Sequence, residues 1–255
     1  MNPLLRGILD LLYPPRCEAC GRLRRAPLCA ECRAQIEMIA PPLCQLCGEP
    51  FDSRAQGAPT CERCRGRRLP FRLARSAAYY RRPLAGAIGR FKYDGQIVLA
   101  RPLGGIMIEA LSGAAGDTDP STVDVICPVP LHSSRQRERG FNQSQLLAEE
   151  ISGVIGKPVS TLLERVRPTA PQVDLPARAR AQNVRRAFAA KEDAAIAGRA
   201  VLLIDDLFTT GATLTECSRA LRTAGAADVR VFTLARPLPR WRLPVDTQPL
   251  AGAAR

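Results

Sequence analysis

Residues 201–214 read VLLIDDLFTTGATL. The four apolar residues at 201–204 have the length and composition of a strand buried on both faces. The residues that follow at 212–225, ATLTECSRALRTAG, carry apolar side chains at helical spacing and stop at Gly225. A strand that passes through a turn of small residues into a helix N-terminus presents backbone N–H groups and the positive end of a helix dipole, which together hold a phosphate. Asp205 and Asp206 stand at the mouth of that turn. Carboxylates repel phosphate but accept hydrogen bonds from sugar hydroxyls, so the implied ligand is a phosphorylated sugar. A Walker B strand also ends in a carboxylate, yet the chain has no G-x-x-x-x-G-K-[ST] loop. A receiver domain places acidic residues after a strand too, but here the pair lies too near the C-terminus for the rest of that fold. An ordinary buried strand with an N-cap aspartate does not account for two acids followed by TTGAT.

The stretch resembles the phosphoribosyl-diphosphate (PRPP) motif of type I phosphoribosyltransferases. The resemblance implies that Asp205 and Asp206 hold the ribose 2′ and 3′ hydroxyls. It also implies that Thr209, Thr210, Gly211, Ala212 and Thr213 wrap the 5′-phosphate.

The chain has 255 residues, 46% of them hydrophobic, enough for one good core and a smaller module. Eight of its ten cysteines form four C-x-x-C pairs: Cys17 and Cys20, Cys29 and Cys32, Cys44 and Cys47, Cys61 and Cys64. Each pair is a knuckle that grips one side of a tetrahedral metal, and two knuckles close a Cys₄ site. Spacing leaves two arrangements open, sequential pairing or a cross-braced one. With no secretion signal recognised, metal is favoured over disulfides, and four copies without a surrounding βαβ pattern do not resemble thioredoxin. Two closed Zn²⁺ sites of this kind build structure and leave no open position for catalysis. Charge is uneven: residues 1–100 hold 17 Lys and Arg against 8 Asp and Glu, most of the formal +13. Arg22, Arg24, Arg25, Arg63, Arg65, Arg67 and Arg68 decorate the knuckles. Two readings stand for them, a track for a phosphate backbone and a solvated basic face.

The N-terminal MNPLLRGILDLLYPP has Asp10 inside its apolar run and Pro14-Pro15 where a cleavage site would fall. Leu5, Ile8, Leu9 and Leu12 share one helical face, so a short amphipathic helix is expected, with neither secretion nor a membrane span. From residue 71 to about residue 116, FRLARSAAYY reads as a strand, PLAGAIGRFKY as a short helix and IVLARPLGGIMIEAL as a second helix weakened by Pro102 and its glycines. Lys92 has two readings, an anion ligand and an exposed lysine whose stem covers apolar surface. Residues 123–127, VDVIC, form a buried strand. After them a loop concentrates His132, Arg135, Arg137 and Arg139 before a helix that starts after Asn142 and ends at Gly156. His132 is the sole histidine, and therefore the one imidazole available as an acid or base. Residues 165–186 hold three prolines and six arginines with no sustained period, the pattern of a mobile lid or a basic linker. ADVRVFTLARPL supplies a last strand, and the Pro-punctuated tail from residue 239 is expected to be poorly ordered. Cys127 and Cys217 read as small core residues.

C-x-x-C pairs, FKYDG, PVPLH followed by RGFNQ, and IDDLFTTGAT occur in that order, and across nearly the whole chain it resembles the ComF competence-protein family. The resemblance implies an α/β protein: a type I phosphoribosyltransferase fold, a parallel sheet flanked by helices, with a small N-terminal Cys-rich zinc-ribbon domain. Its expected divisions are residues 1–70 for helix and double ribbon, 71–120 for a connecting hood, 121–238 for the phosphoribosyltransferase domain and 239–255 for the tail. It further implies PRPP with Mg²⁺, bound by the acidic pair and turn with Arg135 and Lys92, and catalysis through Asp205, Asp206, Arg139 and His132. Phosphoribose would pass to a nitrogen nucleophile with release of pyrophosphate, in the cytoplasm and in the service of DNA uptake. The alternative is a non-catalytic protein that holds PRPP and single-stranded DNA, with competence-machinery proteins as further partners. The acceptor has no legible pattern.

Overall fold

The computed structural model describes residues 14–52, 60–112, 119–168 and 177–242. The expected helix near the N-terminus and the tail beyond residue 242 lie outside them. In chain order the elements are α1 (Ala30–Ala34), β1 (Leu73–Tyr79), α2 (Leu84–Tyr93), α3 (Ala100–Ser112), β2 (Val125–Pro128), α4 (Ser133–Arg139), α5 (Gln143–Ile155), β3 (Leu163–Arg165), α6 (Ala177–Val184), β4 (Phe188–Ala190), β5 (Ala200–Leu207), α7 (Ala212–Thr223) and β6 (Asp228–Arg236). Four strands make a parallel sheet in the order β1-β6-β5-β2. Strands β3 and β4 form a separate antiparallel ribbon.

The central strand explains its own sequence. Leu202 and Ile204 of β5 enter one core with α2, α3 and α5, while Val201 and Leu203 enter a second core with α7 and the β3–β4 ribbon. A strand covered on both faces needs apolar residues at consecutive positions, and burying each such side chain stabilises by about 1.5–3 kcal/mol. Asp205 and Asp206 end that run at the C-terminal edge of the sheet, still on the strand and still buried.

Several elements differ from the sequence expectation. The basic loop after β2 contains a helix, α4, ended by Gly140 in a left-handed conformation. The arginine-rich segment contributes β3 and α6 at its ends. Pro102 does not weaken α3, because it lies in the first turn, where no intrahelical N–H bond is lost. Gly104 is used for close packing: a Cβ there would stand 2.5 Å from Cβ of Glu150 on α5. The strand expected in FRLARSAAYY forms as β1, and it joins the main sheet as an edge. Beyond the expected start of the tail, Arg240–Arg242 forms a 3₁₀ turn, and Trp241 Nε1 donates to the Pro50 carbonyl at 3.2 Å.

The cysteine-rich module covers the open edge of β1. Ile39 N donates to Ala77 O and Tyr79 N to Glu37 O, each at 2.9 Å, and Ala74 N donates to Leu46 O at 2.7 Å. Gly48, at φ +67°, lets the third knuckle lie against Ala74, whose carbonyl oxygen would be 2.5 Å from an added Cβ. Buried Arg75 donates to the carbonyls of Cys44, Gln45 and Ala74 at 3.3, 3.2 and 2.9 Å. Edge strands left bare invite pairing with other chains, and here the third knuckle and the segment before it close that edge.

Candidate functional site

The eight knuckle cysteines resolve into two groups, Cys17, Cys20, Cys29 and Cys32, and Cys44, Cys47, Cys61 and Cys64, so pairing is sequential. Within each group the sulfur atoms all lie within 4.8 Å of one another. A Zn–S bond of about 2.3 Å implies tetrahedral S···S edges of about 3.8 Å. Cys20 and Cys29 sulfurs are 4.0 Å apart, and those of Cys47 and Cys61 3.6 Å. Backbone amides also aim at the sulfurs, Cys29 N at Cys17 and Cys61 N at Cys44, each at 3.3 Å. Such donors favour thiolate over thiol, so donor chemistry and geometry both fit Zn²⁺.

A second site forms at the C-terminal edge of the sheet, where a cavity of about 350 Å³ opens between the ends of β2, β5 and β6. It is bounded by Asp205, Asp206, Thr209, Gly211, Ala212 and Thr213 from β5 and the turn into α7, by Arg135 and Arg139 from α4, and by Lys92 from α2. The turn is built for close approach. Gly211 is the N-cap of α7 at φ +77°, makes no side-chain cap bond, and would place a Cβ 2.7 Å from the Phe208 ring. The α7 N-terminus therefore meets the cavity through backbone, as an anion requires.

The carboxylates are held by different partners. Ser144 Oγ donates to Asp205 Oδ1, and the Asp206 amide donates to the same oxygen, both at 2.9 Å. Asp206 forms an ion pair with Lys92, whose side chain is only 16% exposed. Burial pushes the Asp205 carboxyl up to about 7 and the neighbouring Asp206 charge pushes the same way, against the pull of Lys92. Burial lowers the Lys92 ammonium, but the Asp206 carboxylate outweighs it and the net shift is upward. The opposite wall is basic. Arg139 donates to Gln143 Oε1 at 3.0 Å and lies 5.0 Å from the Tyr93 ring centroid, while Arg165 joins from β3. Burial and the facing Arg135 both push the Arg165 guanidinium down, so the cations converge on a space that favours an anion.

Most expected residues thus meet at one cavity. Thr210 faces a larger hollow of about 1120 Å³ across the turn, between α7 and the second zinc group. His132 is not among the residues around either space: its Nδ1 accepts from the Ser134 amide at 3.3 Å and caps α4. Sequence reading missed Tyr80, Tyr93, Gln143 and Ser144 as site residues, while Arg165, expected only as one of the arginines of a lid, stands at the cavity from β3. The RGFNQS segment held a signal for Ser144, since Asn142 caps α5 by accepting from the Ser144 amide at 3.0 Å. Asn142 Nδ2 also donates to Val129 O at 3.0 Å, which fixes the helix start beside the end of β2 and points Ser144 at β5.

Comparison with known proteins finds two family models on this chain. A family model described as a double zinc ribbon domain matches residues 8–65, and one described as a phosphoribosyl transferase domain matches residues 142–248. The protein is therefore a phosphoribosyltransferase-fold domain joined to a double zinc ribbon. It is 34% identical to "Competence protein F" of Haemophilus influenzae over 91% of this chain and 94% of that protein. It is 32% identical to "DNA utilization protein YhgH" of Salmonella typhimurium over 92% and 96%, and 32% identical to "Competence protein ComFC" of Bacillus subtilis over 82% and 84%. The chain belongs to the ComF competence-protein family. Among solved structures it is similar to the glutamine PRPP amidotransferase of Bacillus subtilis, with 25% identity, 53% of this chain and 26% of that one covered, and a TM-score of 0.35. No helix among the described residues is long and apolar enough to cross a membrane.

Proposed function

We propose that this protein binds PRPP and transfers phosphoribose to a nitrogen nucleophile with release of pyrophosphate, as a cytoplasmic step linked to DNA uptake or nucleotide metabolism. The observation that carries this reading is that two adjacent carboxylates, a backbone-lined helix N-terminus and four half-buried cations, Lys92, Arg135, Arg139 and Arg165, surround one cavity. Asp205 and Asp206 accept hydrogen bonds from the ribose hydroxyls, and the amides of residues 209–213 enclose the 5′-phosphate. Arg135, Arg139 and Arg165 hold the diphosphate. Lys92 shares Asp206 with the sugar and offsets its charge. The carboxylate oxygens also suit Mg²⁺, which prefers hard oxygen donors and, bound with PRPP, neutralises diphosphate charge.

In the transfer, the bond from C1′ to the diphosphate oxygen breaks and the oxygen keeps the electron pair. The nitrogen lone pair forms the new bond from the opposite face, and that nitrogen then releases its proton to solvent. The residues contribute positioning and charge stabilisation, which is where most of the rate in such a reaction arises. The test is pyrophosphate release from PRPP with Mg²⁺ across a panel of nucleobases and amines, beside calorimetry. PRPP should bind, and replacing both Asp205 and Asp206 by Asn should weaken binding by about tenfold or more, equivalent to about 1.4 kcal/mol. Unchanged affinity in that variant would remove the site assignment.

A second reading, PRPP and single-stranded DNA held without turnover, is favoured by one observation. Arg22, Arg25, Arg65, Arg67 and Arg68 are exposed on the knuckles. DNA affinity that falls with salt at a log–log slope of about 0.7 per neutralised phosphate, with no pyrophosphate released by any acceptor, would support it.

A further inference from the structure

Among the described residues the largest wholly buried side chain is a charged one, Arg236, at the C-terminal end of β6. A guanidinium out of water is costly unless each face and edge is occupied, so its partners identify what it joins. Nη1 donates to the carbonyl of Cys47, a ligand of the second zinc group, at 2.9 Å. Nη2 pairs with Glu49, and the same Glu49 oxygen accepts from Arg63, between Cys61 and Cys64, at 2.8 Å. One carboxylate thereby joins both knuckles of that site to Arg236. Its plane lies over the ring of Phe208, 5.1 Å from the centroid. Phe208 is itself buried, donates its amide to Ala235 O at 2.9 Å, and abuts Gly211 closely enough to leave no room for a Cβ. The path from the Cys47 carbonyl through the guanidinium and the aromatic ring to Gly211 in the phosphate turn contains no flexible exposed link.

Among the described residues the first zinc group has no such buried charged strut to the turn, although Cys17, Cys29 and Cys32 pack in the core that holds Leu202 and Ile204. Its knuckles reach the helical side of the molecule instead, where Glu18 meets Arg90 on α2 at 3.0 Å and Arg33 meets Glu109 on α3. Those guanidiniums are about half and about one-third exposed, and surface pairs of that kind contribute little.

We propose that Arg236 is a positioning residue that couples occupancy of the second zinc site to the shape of the phosphate-binding turn. With Zn²⁺ held by Cys44, Cys47, Cys61 and Cys64, the Cys47 carbonyl and Glu49 fix the guanidinium, which fixes the Phe208 ring beneath Gly211. Without it, both anchors of the guanidinium shift and the ring is released from the turn. The inference rests on residues 209–213 being the phosphate cradle, and it adds a control of that cradle from outside the cavity.

Coupling of this kind is reciprocal: a ligand in the turn must hold the zinc, as the zinc holds the turn. The test is a chelator chase of zinc from the wild-type protein with and without PRPP, with cysteine alkylation mapped by mass spectrometry to assign each phase. PRPP should slow release from the second site by about fivefold or more and leave the first unchanged, the size expected for a coupling of about 1 kcal/mol. Replacing Arg236 by Met should abolish that protection and weaken PRPP binding, while Arg236→Lys, which keeps the charge over Phe208, should recover part of both. PRPP that binds normally while leaving both zinc phases unchanged would overturn the coupling. A second arm needs no ligand: amide exchange at residues 209–214 should rise in Cys61→Ser and stay at the wild-type rate in Cys20→Ser. Should PRPP fail to bind, the phosphosugar reading falls, and this exchange difference alone decides the strut from zinc to turn.

Discussion

Asp205 accepts two hydrogen bonds, sits beside another carboxylate, and has almost no access to water. Folding therefore raises its proton affinity, to a pKa of about 7, because neither the burial nor the crowding exists in the unfolded chain. Its contribution to stability is full at low pH and is lost as pH rises through that value. The Asp205→Asn variant lacks this dependence. Between roughly pH 6 and roughly pH 8.5 its stability relative to wild type should rise by about 1–2 kcal/mol, measured by urea unfolding at both values. A difference that stays flat would mean that Asp205 is already ionised at the lower pH. The same ionisation prepares the carboxylate to accept sugar hydroxyls, so the form that costs stability is the one a ligand stabilises. None of this could be read at the residue level from sequence. Two adjacent aspartates were visible, but Ser144, Lys92 and the burial that set their charge lie far from them along the chain.

At the scale of elements, glycines separate the turn from the helices around it. Gly211 starts α7 in a left-handed conformation with Phe208 against it, whereas Gly89 lies within α2 with open space where a Cβ would go. Gly211→Ala should cost about 1–3 kcal/mol and open the phosphate turn. Gly89→Ala should instead stabilise by up to about 1 kcal/mol through helix propensity alone. Chemical denaturation of the two variants checks both signs, and a harmless Gly211→Ala would show that the turn is not constrained by the ring beneath it. Strand β5, helix α5 and the knuckles were legible as elements because apolar period, caps and C-x-x-C spacing are local signals. Helices α4 and α6 were not. SSRQRER carries no apolar stripe, and ARARAQNV has only small alanines with Val184 at helical spacing, so their helical state depends on the neighbours they pack against and on caps such as His132.

At the scale of the molecule, two cores lie on opposite faces of one sheet, and each takes in cysteines of one zinc group. The zinc module is thereby part of the sheet's packing, not an appendage on a linker. Metal analysis should give two Zn²⁺ per chain, and calorimetry of the loaded protein should show one cooperative transition. Stripping zinc should lower its midpoint by about 10 °C or more, since the binding energy of a structural zinc is folding energy. Two separate transitions would mean that the ribbons fold independently of the sheet.

By itself, the amino-acid order determined the local chemistry: a buried strand ending in two acids, a small-residue turn into a helix, and four knuckles suited to zinc. Each depends on residues a few positions apart. Only the tertiary structure decided which knuckles share a metal, that Lys92 pairs with Asp206, that β1 closes the sheet against the ribbons, and that Arg236 joins zinc to turn. Those contacts connect residues separated by up to 189 positions, as Cys47 and Arg236 are. Their strength comes from burial and desolvation, which exist only once the chain has packed.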